Sequence, residues 1–368
     1  MKHSFKLGLL SAIGAALILG TAFGPSFTAM AQATDNCFGL SADDCALLKA
    51  GDSKEARLKL TSFNMAYVLT LSGSGMRGNS GDLSLKGNGP FEFDADIASA
   101  MTPGNTKNLD KLTFENIISG TATNKGHTTP FNADIRILNG ILYFESDKVT
   151  DGQWKSLSLA TAVRGLAQNQ RRLGGGLGGR GGGNPAKAME AITAAVKLLQ
   201  TPGFVSAQRA ADTTLENQQI ANFVFHFDVT KLFNSPDFIT FVKTIGSNNP
   251  TISKMSDAQM QAIASQLATA FKDTQFTVTR LVGVTDKLPH GISIDLALNV
   301  NPSDLPRMAE AVATPEANPQ PIMLNFHLQF TISGIGTKAN VTAPAGAQPF
   351  NPGGPGGPGG AATPAATS

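Results

Sequence analysis

The sequence predicts an α+β fold in which one strongly curved antiparallel β-sheet, a half-barrel, wraps inserted α-helices. Three observations predict it. From residue 58 to about 150 apolar and polar residues alternate one for one, as in strands with a single buried face. From about 156 to 210 the period lengthens to that of an amphipathic helix, and after 218 strands return with two more helices among them. Strands on both sides of central helices are accommodated more simply by one sheet closing over them than by two domains, each needing its own cover.

The chain of 368 residues begins with Lys2 and Lys6, an apolar run from Leu7 to Phe23, and small residues at Ala29, Ala31 and Ala33. This predicts a secretory signal peptide over residues 1–33. The alternative is a retained anchor, but the run is short of the ~20 residues that a spanning helix needs and carries glycines. Removing Lys2 and Lys6 leaves 27 basic against 27 acidic residues. A neutral chain has no strong basic field, so nucleic acid is excluded as a partner.

Residues 34–57 hold both cysteines, Cys37 and Cys45, in "CFGLSADDCALLK". In an exported chain this pair predicts a disulfide rather than a metal site or a nucleophile. Ser41 followed by Asp44 resembles a capping box and Gly51 would end a short helix, so the bridge pins a helical cap.

The half-barrel is expected over 58–345. Phe63, Met65, Tyr67, Leu69 and Leu71 share one face of the first strand. Leu83, Leu85, Phe91 and Phe93 continue the pattern, with Gly87 and Gly89 suggesting a bend or bulge. "FNADIRIL" and "GILYFES" join through Asn139-Gly140, a hairpin signal. "RRLGGGLGGRGGGN" cannot form a regular element, so residues 173–184 read as a loop. "PAKAMEAITAAVKLLQ" then aligns Met189, Ile192, Val196 and Leu199 on a helical stripe.

Phe223, Phe225, Phe227 and Val229 face one way on the next strand. Two helices follow, one from Ser235-Pro236 to Gly246, the other opening on a capping box from Ser256 to Gln259 with Met260, Ile263, Leu267 and Phe271 on its stripe. Three strands close the domain. In one, "ISIDLALNV", Ile292, Ile294, Leu296, Leu298 and Val300 lie opposite Ser293, Asp295, Ala297 and Asn299. In the last, Leu324, Phe326, Leu328, Phe330 and Ile332 align. Residues 346–368, rich in glycine and proline, are expected to be disordered.

The residues that carry this reading are the long meandering strands, the helices placed before the last strands, the lone Trp154 in "DGQWKSL", and the closing "VTDKLPHGISIDLALNV". Over residues 58–335 they resemble the LolA/LppX-type half-barrel lipid- and lipoprotein-binding proteins of bacterial envelopes. The resemblance implies an apolar cavity for acyl chains between sheet and helices. One departure matters: Cys37 follows Thr34, Asp35 and Asn36, so there is no lipid-modified cysteine after the signal peptide. A monomeric carrier, secreted or free in the periplasm or cell envelope, is therefore expected.

The candidate ligand-binding residues are Phe63, Met65, Tyr67, Phe223, Phe225, Phe227, Leu296, Leu298, Phe326, Leu328 and Phe330. Each buried methylene would contribute about 0.8 kcal/mol. Phe supplies 22 of the aromatic residues, and having no polar group it suits a hydrocarbon pocket as well as a packed core, the plainer reading for any single residue. His226 and His327 fall on polar strand sides, with no second ligand at close spacing, and His127 and His290 adjoin turns. Gly174, Gly176 and Gly179 match a dinucleotide-binding pattern only formally.

Arg164, Arg171, Arg172 and Arg180 make the glycine-rich region basic, suited to transient contact with anionic lipid headgroups or simply solvated. No catalytic constellation, metal site or cofactor motif is found, so the expected function is non-enzymatic binding of a lipid or other hydrophobic molecule. The alternative is a secreted envelope interaction protein with a filled core.

Overall fold

The computed structural model describes residues 37–76, 79–93, 108–162, 194, 197–198, 201–246, 250–305 and 320–350. The expected signal peptide, the glycine-rich loop with its GxGxxG match and arginines, and the tail from 351 lie outside the described residues. Of the helix expected at 185–200, Ala194, Lys197 and Leu198 are described; all three are helical and Leu198 is buried.

Two meanders share one sheet. β1 (Ser62–Met76), β2 (Asn79–Phe93), β3 (Leu112–Asn124), β4 (His127–Leu138), β5 (Ile141–Ser146) and β6 (Lys155–Ser158) form the first. β7 (Val205–Leu215), β8 (Gln218–Phe227), β9 (Gln275–Gly283), β10 (Pro289–Val300) and β11 (Ile322–Ser333) form the second. They join where β1 pairs antiparallel with β11, and a short β12 (Gln348–Pro349) runs parallel to β6. The result is a curved twelve-stranded sheet that does not close, with β12 and β7 at its ends. A sheet this wide coils instead of lying flat, because each strand is twisted relative to the last. The α+β half-barrel class expected from the alternation is the class observed.

Short segments pair along the outer strands of both meanders, which limits edge-to-edge association. At β7 the Ala207 N–H donates to the Phe38 carbonyl at 2.7 Å. At β6 the N–H groups of Gln348 and Phe350 donate to the carbonyls of Trp154 and Ser156, at 3.0 and 2.7 Å. The Phe350 ring packs edge-on against Phe144 with centroids 5.1 Å apart. The segment expected to be disordered from 346 is therefore paired as far as Phe350, the one large apolar residue there.

Local chemistry explains most boundaries. Asn139 and Gly140 both take positive φ, 52° and 73°, as the tight β4–β5 hairpin requires. Strand structure begins at Ser62 rather than near 58, because Ser53 caps a short helix, α2 (Lys54–Leu58), that follows α1 (Ala42–Gly51). Of the bend or bulge expected at Gly87 and Gly89, no bulge is present: β2 keeps one register against β1 there, and the irregularity lies between Gly73 and Met76. Gly87 makes room instead, since a Cβ would fall 2.5 Å from the Tyr67 ring.

Between β8 and β9 lie α3 (Val229–Phe233), α4 (Pro236–Gly246), α5 (Pro250–Ser253) and α6 (Asp257–Ala270). The Ser256–Gln259 capping box is complete. The buried stripe of α6 is Met260, Ala264 and Ala268, with Ile263 and Leu267 half-buried beside it. Small residues on that stripe let the helix approach its neighbours closely. Leu232 of α3 packs against the main core, and Phe233 meets Phe238 and Phe271.

Candidate functional site

The strand registers assemble the apolar face into transverse rows. One row reads Arg280, Ile292, Phe330, Tyr67 and Gly87 across β9, β10, β11, β1 and β2, continuing through Ile118 and Ala133. Four residues along the strands, roughly 13 Å at ~3.3 Å per residue, a second row reads Phe276, Leu296, Phe326, Leu71 and Leu83. These rows differ in cover. Ile292, Phe330 and Tyr67 are buried at 2%, 5% and 8% exposure, whereas all five residues of the second row are only half-buried.

Cover over the closed row comes partly from the N-terminus. The Cys37–Cys45 disulfide is formed, and Ser41 caps α1 through the Asp44 N–H. Leu48 of α1 packs on Ala221, Phe223 and Val282, and the Phe38 ring meets Phe225 edge-on at 6.0 Å. Asp52, just past α1, forms an ion pair with Arg280 of β9, both side chains almost buried. Burial pushes the Asp52 carboxyl above its ordinary value, and the Arg280 guanidinium opposes that shift. Arg209 hydrogen-bonds Asp44 and Asp212, at 2.8 and 2.7 Å, and these bonds hold both carboxyls below their usual range.

All eleven candidate residues project from the apolar side of the sheet. Phe63, Met65, Tyr67, Phe223, Phe227, Leu328 and Phe330 belong to closed core, at 9% exposure or less. Phe225, Leu296, Leu298 and Phe326 are half-buried. Sequence reasoning passed over three row partners of Leu296 and Phe326: Leu71 and Leu83 extend that row onto β1 and β2, and Phe276 extends it onto β9. The alternation placed Leu71 and Leu83 on the right face, but only the register shows that they lie side by side with Leu296, Phe326 and Phe276.

A polar pair also lies within the apolar face. Asn116 of β3 is fully buried, and its Nδ2 donates to the Tyr67 hydroxyl at 3.1 Å. Burial pushes the Tyr67 phenol up, against the effect of that bond.

On the opposite, polar face the histidines share one row: Ser206, His226, Thr277, Asp295, His327 and Thr70. His327 Nδ1 lies 2.6 Å from Asp295 Oδ1, and His226 Nε2 lies 3.4 Å from the Gln208 amide. Three strand spacings of ~4.8 Å separate the two imidazoles, too far to share an ion. Among the described residues no group of three His, Cys, Asp or Glu could hold a metal. Ala297 lies between Gln275 and Asn325 in the next row, and its small side chain leaves a shallow depression of about 230 Å³ beside His327. His290, which the turn context left unremarkable, is buried, with Nε2 2.9 Å from Asp286 and Nδ1 3.1 Å from the Ile332 carbonyl; it ties the β9–β10 turn to the end of β11.

No helix among the described residues is long and apolar enough to cross a membrane. No family model matches the chain, and no curated protein matches it in sequence. Among solved structures, the chain is similar to the lipoprotein LppX of Mycobacterium tuberculosis, at 12% identity, covering 81% of this chain and all of that one with a TM-score of 0.29. A LolA-superfamily protein of Nitrosomonas europaea matches at 10% identity over 80% of this chain and 94% of its own, TM-score 0.17. A β-barrel-like protein of Brucella abortus, from a domain family of unknown function, matches at 10% over 75% and 99%, TM-score 0.14. Likenesses at such scores say nothing about ligand or site.

Proposed function

We propose that the protein is an exported, non-enzymatic carrier that sequesters a lipid or similar hydrophobic molecule against the half-buried part of its apolar sheet face. One observation carries this reading: five large apolar side chains, Phe276, Leu296, Phe326, Leu71 and Leu83, stand side by side on five adjacent strands and stay half-buried. Four strand spacings make that row about 19 Å wide. An apolar row of that width that its own chain covers only in part is a candidate contact surface for an apolar ligand. Burying each methylene of a ligand there contributes about 0.8 kcal/mol, enough over an acyl chain to offset the cost of association. The disulfide supports an oxidising, extracytoplasmic setting.

A second reading has its own support. Seven of the eleven candidate residues are packed core, as in an envelope interaction protein that binds no ligand. Native mass spectrometry of the purified protein with organic extraction, together with uptake of a fluorescent fatty acid, separates the two. The carrier reading expects a co-purifying lipid and saturable uptake. Repeated absence of both would leave the filled-core reading standing.

A further inference from the structure

The depression on the polar face of the sheet plays no part in the carrier reading. Ala297 of β10 sits between Gln275 of β9 and Asn325 of β11; two residues back along β10, Asp295 sits between Thr277 and His327, with Thr70 of β1 next in that row. Together they line the space of about 230 Å³. A strand position usually favours a larger or β-branched side chain over alanine, and here the small residue is what leaves the room. Asp295 is held from two sides: His327 Nδ1 lies 2.6 Å from its Oδ1, and the Ser293 hydroxyl donates to its Oδ2 at 3.1 Å. Asn325 is held loosely, its Nδ2 donating to Ser72 Oγ at 3.4 Å. Among the described residues the Thr70 and Thr277 hydroxyls and the Gln275 amide have no hydrogen-bond partner. Donors and acceptors with spare capacity thus ring one concave spot.

We propose that this depression binds a small neutral polyhydroxylated molecule, a single sugar ring or cyclic polyol. Each hydroxyl of such a ligand both donates and accepts, which matches a lining of acceptor-only carboxylate, two-way hydroxyls and two-way amides. At ~30 Å³ per water the space holds about seven or eight waters, room for one ring rather than for a chain. An anion would meet the Asp295 carboxylate, and His327, the basic side chain beside it, already faces that carboxylate. A metal ion would need a third ligand that the described residues do not supply. An apolar ligand would find the Ala297 methyl among polar side chains, because Leu296 and Phe326 project from the other side of the sheet. The site lies on the face opposite the half-open row and is independent of the carrier reading.

The test is a titration of the purified full chain with D-glucose, D-galactose, D-mannose and myo-inositol, each followed by ligand-observed saturation-transfer NMR. The wild type is expected to bind at least one of them saturably, with a Kd of about 1–10 mM for so small and open a site. Ala297→Ile fills the depression with a side chain suited to a strand, and should weaken that binding by about tenfold or more while Tm and fatty-acid uptake stay as in the wild type. Asp295→Ala removes the central acceptor from an exposed position, should weaken binding as well, and decides the matter if Ala297→Ile does not fold. Saturable binding of none of the four probes overturns the proposal. So does binding that a folded Ala297→Ile retains at wild-type strength. Neither result touches the carrier reading, which the fatty-acid uptake reports separately.

Discussion

The row Arg280, Ile292, Phe330, Tyr67 and the row Phe276, Leu296, Phe326, Leu71 lie on the same strands and the same face, yet one is closed and the other half-open. Nothing in the alternation distinguishes them. What differs is the opposite side: the closed row has the disulfide-pinned N-terminal helices over its β8–β9 end, with Leu48 on Phe223 and Asp52 on Arg280. Side-chain pattern decides which way a residue points. Whether it becomes core or contact surface depends on what the chain lays over it, and at Arg280 that cover includes Asp52, 228 residues away in sequence.

The comparison can be broken most sharply at its latch. Asp52→Ala removes the carboxylate paired with the nearly buried Arg280 and should destabilise by up to about 3–5 kcal/mol, read by urea unfolding. Phe330→Ala in the closed row should cost about 3–5 kcal/mol; Phe326→Ala in the half-open row should cost distinctly less, and equal costs would erase the distinction between the rows. Replacing Cys37 and Cys45 by serine should remove about 2–3 kcal/mol, since a short loop is freed in the unfolded chain. The same loss should appear on reduction of the wild type. Ser256→Ala, which removes an exposed cap on α6, should cost about 1 kcal/mol and leave both rows unchanged.

Acid sharpens the contrast at the N-terminal cover. Asp44 and Asp212 have carboxyls lowered by hydrogen bonds from Arg209, so their contribution is present above the unfolded value of 3.8 and is lost as pH falls through the folded values. Asp52 acts in the opposite sense: its carboxyl is raised by burial, so protonating it on the way down to 3.8 favours the fold. Arg209→Gln should therefore flatten the loss of stability below about pH 4. An unchanged acid limb in that variant would remove the Arg209 cluster from the explanation.

Much of the architecture was legible from local chemistry. Asn139-Gly140 marks a hairpin, Ser256 and Gln259 a helix start, and "ISIDLALNV" a one-faced strand, because each feature is decided within a few residues. The short helix before β1 reads as strand from Leu58, since its cap at Ser53 lies in a polar stretch without periodicity. Gly87 and Gly89 look like a bulge because a glycine inside a strand signals either a bend or a close approach, and only the register shows the Tyr67 ring. Phe350 is hidden in the sequence as a lone apolar residue in a proline- and glycine-rich tail. Asn116 is visible as a polar residue breaking an apolar row in "KLTFENIISG", but its partner Tyr67 is 49 residues away. The half-open row is likewise a property of registers among five strands.

The central claim is that the half-open row is a ligand surface and the closed row is core. Fluorescent fatty-acid uptake and melting temperature, measured together on Phe326→Asp and Phe330→Asp, test it most directly. A ligand surface at the half-open row predicts that Phe326→Asp keeps a cooperative melt and loses uptake, while Phe330→Asp fails to fold. Undiminished uptake by a folded Phe326→Asp would contradict it.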